Sequence, residues 1–182
     1  MDNTYKEGRI IKHADDITIE TLKYEDDGSI PNHPSYPLLL YKNVMTSEED
    51  PKDILAENNW LGAWRGRVAP YHHYHSNSHE VLVVAGGSAK LQLGGEQGGQ
   101  VRIEQGDAII LPAGFGHKLL EGSADFTVIG AYPNGQSYDF CYGKADERPE
   151  KLENIKKVPL PYNDPLFGKN GPLFSYWTDE KC

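Results

Sequence analysis

Tyr71-His72-His73-Tyr74-His75-Ser76-Asn77-Ser78-His79-Glu80 opens the stretch that decides how this chain folds, and Gly106-Asp107-Ala108-Ile109-Ile110-Leu111-Pro112-Ala113-Gly114-Phe115-Gly116-His117 closes it. Five of the seven histidines fall inside it. On a strand, His73 and His75, two residues apart, point to the same face. Ser76 to His79 are small or polar and suit a four-residue hairpin connection. A turn there sets Glu80 roughly opposite His75, where paired residues have Cβ atoms about 4.5–5.5 Å apart. Two imidazoles and a carboxylate then converge on one point, the outline of a metal site.

His117 can supply a fourth donor. It follows a short apolar strand, Ala108 to Leu111, and the Pro112-Ala113-Gly114 turn that fixes where it points. These residues resemble the two motifs of the cupins, small β-barrel proteins with a metal inside the barrel. The first motif matches as His73-x-His75, four residues, Glu80, six residues, Gly87. The second matches as Gly106, five residues, Pro112-x-Gly114, two residues, His117. Two positions depart from the pattern. Gly66 stands seven residues before His73 where the family has a glycine six before, and Glu121 stands where the family often has asparagine. Neither position ligates metal in the family.

The resemblance covers roughly residues 60 to 135. A closer likeness, to a small single-domain bacterial and fungal subgroup (monocupins), extends through Gly130-Ala131-Tyr132-Pro133. It implies an all-β jelly-roll barrel, a double-stranded β-helix, with His73, His75, Glu80 and His117 as ligands of one divalent first-row metal. A one-residue register shift would exchange His79 for Glu80. The apolar run Val81 to Val84 does not fix that register, whereas the family spacing and a hard carboxylate beside three imidazoles favour Glu80. His72 and His79 have the wrong strand parity for the cluster.

The remaining composition fits such a barrel. The chain has 182 residues, 38% hydrophobic, enough for one well-buried unit with 19 glycines and 12 prolines to supply tight turns. The expected layout is a single unit over 1–182: a barrel core over 60–135, an N-terminal arm over 1–59 and a C-terminal wrapping arm over 133–182. The net charge of −9, without a run of Lys and Arg, argues against nucleic-acid or anionic-membrane binding. No apolar segment approaches the roughly 18 residues of a membrane span. Cys141 and Cys182 make no disulfide framework, and no signal-peptide pattern opens the chain, so a reduced cytoplasmic protein is expected.

In chain order, Ile17 to Tyr24 and Leu38 to Tyr41 read as strands. Thr46 or Ser47 can cap a helix with Glu48, Glu49 and Asp50 in its first turn, Pro51 tolerated, and an end near Asn59. Strands follow at 64–68, 80–85, 89–93, 101–103, 108–111 and 125–132. The Gly94 to Gly99 loop precedes a strand, so it is a hairpin and not a phosphate cradle. Beyond Pro133, prolines break up any long element, yet Phe140, Leu160, Phe167, Phe174 and Trp177 are too apolar for a disordered tail. An extended wrap, over the barrel or a partner subunit, is the expectation, and the family implies a homodimer.

Arg65, Arg67 and Tyr71 share the parity of His73 on an unbroken strand, and either arginine would suit a substrate carboxylate or phosphate. Tyr71 and Glu121 are the candidate catalytic acid–base groups. Phe115 and Phe126 read as core. Iron, manganese, nickel, copper and zinc all suit three histidines and a carboxylate. The resemblance implies a metal-dependent enzyme acting on a small polar molecule, with dioxygenase chemistry ahead of isomerase, epimerase or decarboxylase chemistry. A non-catalytic module that binds or senses a small ligand is the reading of a different class.

Overall fold

The computed structural model describes residues 10–47 and 49–178; Glu48, placed above in a first helical turn, and Cys182 lie outside the described residues. Among the described residues nine strands follow in order: β1 (Thr18–Leu22), β2 (Leu38–Lys42), β3 (Trp60–Gly66), β4 (Glu80–Gly86), β5 (Ser88–Leu93), β6 (Gly99–Glu104), β7 (Ala108–Leu111), β8 (His117–Gly122) and β9 (Thr127–Pro133). A short helix, α1 (Lys52–Glu57), lies between β2 and β3, and two more, α2 (Glu150–Lys157) and α3 (Leu173–Tyr176), follow β9. One sheet has the order β1-β2-β7-β4-β9-β3 and the other β6-β5-β8. Every strand pair is antiparallel. This is the all-β jelly roll.

Strand period 2 explains the apolar runs. Leu38, Leu40, Leu82, Val84, Ile109 and Leu111 point between the sheets and meet Ala89, Leu91, Leu93 and Ile103. The intervening residues Leu39, Tyr41, Val81, Val83, Ala108 and Ile110 pack on the opposite side with Leu55, Leu166, Leu173 and Trp177. Both faces of β2, β4 and β7 are apolar because the two arms cover the outer one. Polar bonds fasten the C-terminal arm. The buried Asp164 accepts from the Tyr41 hydroxyl at 2.5 Å and from the backbone N–H groups of Leu166, Phe167 and Leu173. The Trp177 indole donates to the Pro37 carbonyl at 2.7 Å.

Two local expectations change. The helix starts at Lys52, with Pro51 at the cap, not at Thr46 or Ser47. Asp50 Oδ1 instead accepts from the Lys52 N–H at 2.8 Å, which supplies the partner a more distant cap would have given. The C-terminal arm holds α2 and α3, short enough to fit between the prolines, where proline spacing alone predicts only an extended wrap.

Candidate metal centre

The hairpin expected at Ser76 to His79 does not form. Both edges of β4 are taken by β7 and β9, whose apolar residues complete the core, so Glu80 stands opposite Leu111. The histidine segment crosses to the other sheet. His73 and His117 exchange backbone bonds, with N–O distances of 3.2 and 3.0 Å, and Tyr74 pairs with Cys141. Gly114, at φ +87°, carries the second-motif turn, and its N–H donates to the His75 carbonyl at 2.8 Å. The imidazoles and the carboxylate therefore meet across the space between two sheets, not across a hairpin.

All four side chains are buried. One nitrogen each from His73, His75 and His117 lies within 4.8 Å of the others. Glu80 Oε1 is 3.4 Å from His117 Nε2 and 3.7 Å from His75 Nε2. The opposite nitrogens face the main chain: Nδ1 of His73 meets the Tyr71 carbonyl at 2.9 Å, that of His75 the Asp139 carbonyl at 2.5 Å, and that of His117 the Phe115 carbonyl at 3.0 Å. A carbonyl only accepts, so each Nδ1 carries the proton and each Nε2 keeps its lone pair. Orientation of a ligating imidazole through its second nitrogen is the usual support of a metal site. Burial pushes the His73 imidazole down to about 2 and lowers that of His75, favouring the neutral rings a metal requires.

Glu80 completes the donor set. The Tyr132 hydroxyl donates to Oε2 at 2.6 Å, while Oε1 is buried with no hydrogen-bond partner. Burial raises this carboxyl, and the Tyr132 hydroxyl on Oε2 works against that. A buried, charged oxygen without a donor is costly. Three lone pairs and one carboxylate oxygen facing one another fit a divalent cation, which would relieve that cost.

The donors line a cavity of about 160 Å³, walled by Trp64, Val68, Leu82, Tyr132, Tyr138 and Phe140, with Arg67 also in the lining. The ring of Phe140 stacks on His73 at 4.6 Å, and Tyr138 stacks on Tyr132 at 4.2 Å. These two aromatic side chains come from the C-terminal arm. A larger cleft of about 770 Å³, lined by Lys23, His33, Lys156 and others, shares no residue with this cavity.

The other predicted residues separate. Arg65 and Arg67 do not share a face, because β3 ends at Gly66 and the strand parity ends with it. Arg65 is exposed and pairs with Asp50 at 3.7 Å, outside the cavity. Tyr71 packs edge-on against His73 with ring centres 5.9 Å apart, but it is 47% exposed and not in the lining. Glu121 is exposed opposite Lys90, because the register of β8 shifts between Leu119 and Glu121 and turns it outward. His79 is buried elsewhere, accepting from the Ala113 N–H and donating to the Pro159 carbonyl. His72 pairs with Glu96 at 2.6 Å. Phe115 and Phe126 are core. Tyr132, Tyr138 and Phe140 are the site residues that sequence reading misses. The alternation of aromatics over 138–142 is a local signal for Tyr138 and Phe140, and Tyr132 has none of that kind.

A family model described as the cupin domain matches residues 64–130. The uncharacterized protein YjlB of Bacillus subtilis (strain 168) is 48% identical over 159 residues, covering 87% of this chain and 96% of that protein. Among solved structures, the TDP-quinovose 3,4-ketoisomerase WlaRB from Campylobacter jejuni is 15% identical, with 76% of this chain and 98% of that chain covered at a TM-score of 0.43. Acireductone dioxygenase from Bacillus anthracis, with a cadmium ion in its active centre, is 18% identical. It covers 47% of this chain and 57% of its own, at a TM-score of 0.34.

Proposed function

Because this chain belongs to the cupin superfamily, we propose that His73, His75, Glu80 and His117 hold one divalent first-row metal and that the protein is a metal-dependent enzyme for a small polar molecule. The observation that carries this reading is the buried Glu80 Oε1, which has no hydrogen-bond donor and faces the imidazoles. When bound, iron or copper would supply redox chemistry with dioxygen and a chelating substrate, and zinc, manganese or nickel Lewis acidity.

The chain's own residues set the conditions. The three backbone carbonyls hold each ring in one tautomer. Tyr132 occupies Oε2, so that one carboxylate oxygen is left for the centre. Phe140, Tyr138 and Trp64 give the cavity an aromatic wall. Isomerisation and epimerisation also need a placed acid or base. Tyr71 and Glu121 lie outside the cavity lining, and the Tyr132 hydroxyl is committed to Glu80. Tyr138, also in the lining, is the hydroxyl left for proton transfer, the second reading behind oxygen chemistry.

Metal content by plasma mass spectrometry tests the reading, on untagged protein purified without chelators, beside His75→Ala and His117→Ala. Near-stoichiometric metal in the wild type, lost in both variants, is the expected result. Iron or copper would then be followed by oxygen-consumption assays. Absence of metal, even after reconstitution, would leave a ligand-binding module in place of an enzyme.

A further inference from the structure

The chemistry that the cavity admits can be narrowed at Arg67, an inference that rests on the metal reading above. Arg67 shares the cavity with the three histidines and Glu80. Among the described residues no carboxylate pairs with it, whereas Arg65 is paired with Asp50. Its guanidinium is nonetheless held in place. Nη1 donates to the Ser123 and Phe126 carbonyls, each at 3.1 Å, and the group lies 5.3 Å from the Phe126 ring centre. Gly122 makes room for it, since a Cβ there would lie 2.8 Å from Nη2. A guanidinium has five N–H donors. Two are used on carbonyls, which leaves those on Nε and Nη2.

Charge and volume then define what those donors meet. A bound divalent cation and the Arg67 guanidinium would set three positive charges against the single carboxylate of Glu80. Arg67 is itself exposed, so this excess steers an incoming anion from solvent to the cavity. The cavity, about 160 Å³, is close to one known to admit benzene. We propose that the ligand of this site is a compact organic carboxylate, with its carboxylate on Arg67 and its apolar remainder against Phe140.

Cobalt-loaded full-length protein would be titrated by calorimetry with benzoate and benzamide, and with pyruvate and pyruvamide. The same titrations would be made on Arg67→Met and Arg67→Lys. Each acid should bind at least about tenfold more tightly than its amide, as expected of charge-assisted hydrogen bonds. That preference should vanish in Arg67→Met and survive in part in Arg67→Lys, which keeps the charge without the fork. Equal binding of acid and amide, or an acid preference unchanged in Arg67→Met, would overturn the proposal while leaving the metal reading intact. If Arg67→Met loses its cobalt, the comparison falls to Arg67→Lys, where an undiminished preference would overturn it. Failure of the wild type to take up cobalt would overturn the metal reading, and this proposal with it.

Discussion

Tyr132 links an indole to a carboxylate. Trp64 Nε1 donates to its oxygen at 2.8 Å, and its own O–H donates to Glu80 Oε2 at 2.6 Å. Tyr132→Phe leaves an indole N–H and a buried carboxylate oxygen without partners. The expected cost is about 2–6 kcal/mol in urea denaturation, at roughly 1–3 kcal/mol per orphaned group. Metal retention in competition with a chelator should weaken about 10–100-fold, the usual effect of removing an outer partner. Unchanged retention would show that Glu80 needs no such partner. At this scale the sequence is informative where the contact is short-range: Pro112-Ala113-Gly114 aims His117, and the spacing of His73 and His75 is strand spacing. Tyr132 meets Glu80 from 52 residues away, so no local pattern announces it.

Among the elements, the segment carrying Tyr138 and Phe140 is tied down through Asp139. Its carboxylate accepts from the Ser76 N–H at 2.7 Å, from the Ser76 hydroxyl and from Lys151 of α2 at 3.2 Å, while its N–H donates to Asn77 Oδ1 at 3.0 Å. Asp139→Ala strips the Ser76 N–H of its partner and should cost about 2–3 kcal/mol. Limited proteolysis near residue 139 should accelerate. Asp139→Asn keeps an acceptor for Ser76 and should recover much of the loss, and equal loss in both variants would assign the effect to the Lys151 pair. Most strands were readable because apolar alternation or an apolar run marked them. β8 was not, since its exposure rises steadily from His117 to Gly122 without alternating. Nor was α2, a single short helix between Pro149 and Pro159 whose buried residue is Ile155. The partner of the histidine strand stayed hidden because pairing depends on which edges remain open, a property of the whole sheet.

For the molecule as a whole, the arms cover the outer face of the six-stranded sheet, burying His33 within one and His79 against Pro159 and Trp177 of the other. Burial lowers His33 to about 4 and His79 to about 3. For a base the lowered value means that the fold prefers the neutral ring. This preference costs nothing above pH 6.5, the unfolded value, and stability is lost as pH falls from 6.5 toward 4 and 3. Paired carboxylates such as Glu147 and Asp26 are also lowered, and they lose their contribution only below their ordinary values near 4. The interval from pH 6.5 to about 4.5 thus belongs to histidine. His33 Nδ1 accepts from the Ser35 and Tyr36 N–H groups, and an asparagine oxygen can do the same. His33→Asn should therefore lose about 1 kcal/mol at pH 8 through its stacking on Tyr36, yet show a flatter melting temperature across that interval. A slope identical to the wild type would place the acid sensitivity elsewhere. The imidazoles of the metal centre lean on the carbonyls of residues 71, 139 and 115, and those acceptors belong to the main chain. No side-chain replacement can delete them. The lining of the cavity is thus free to change its chemistry by substitution, while the aim of the rings yields only to changes that move the backbone itself.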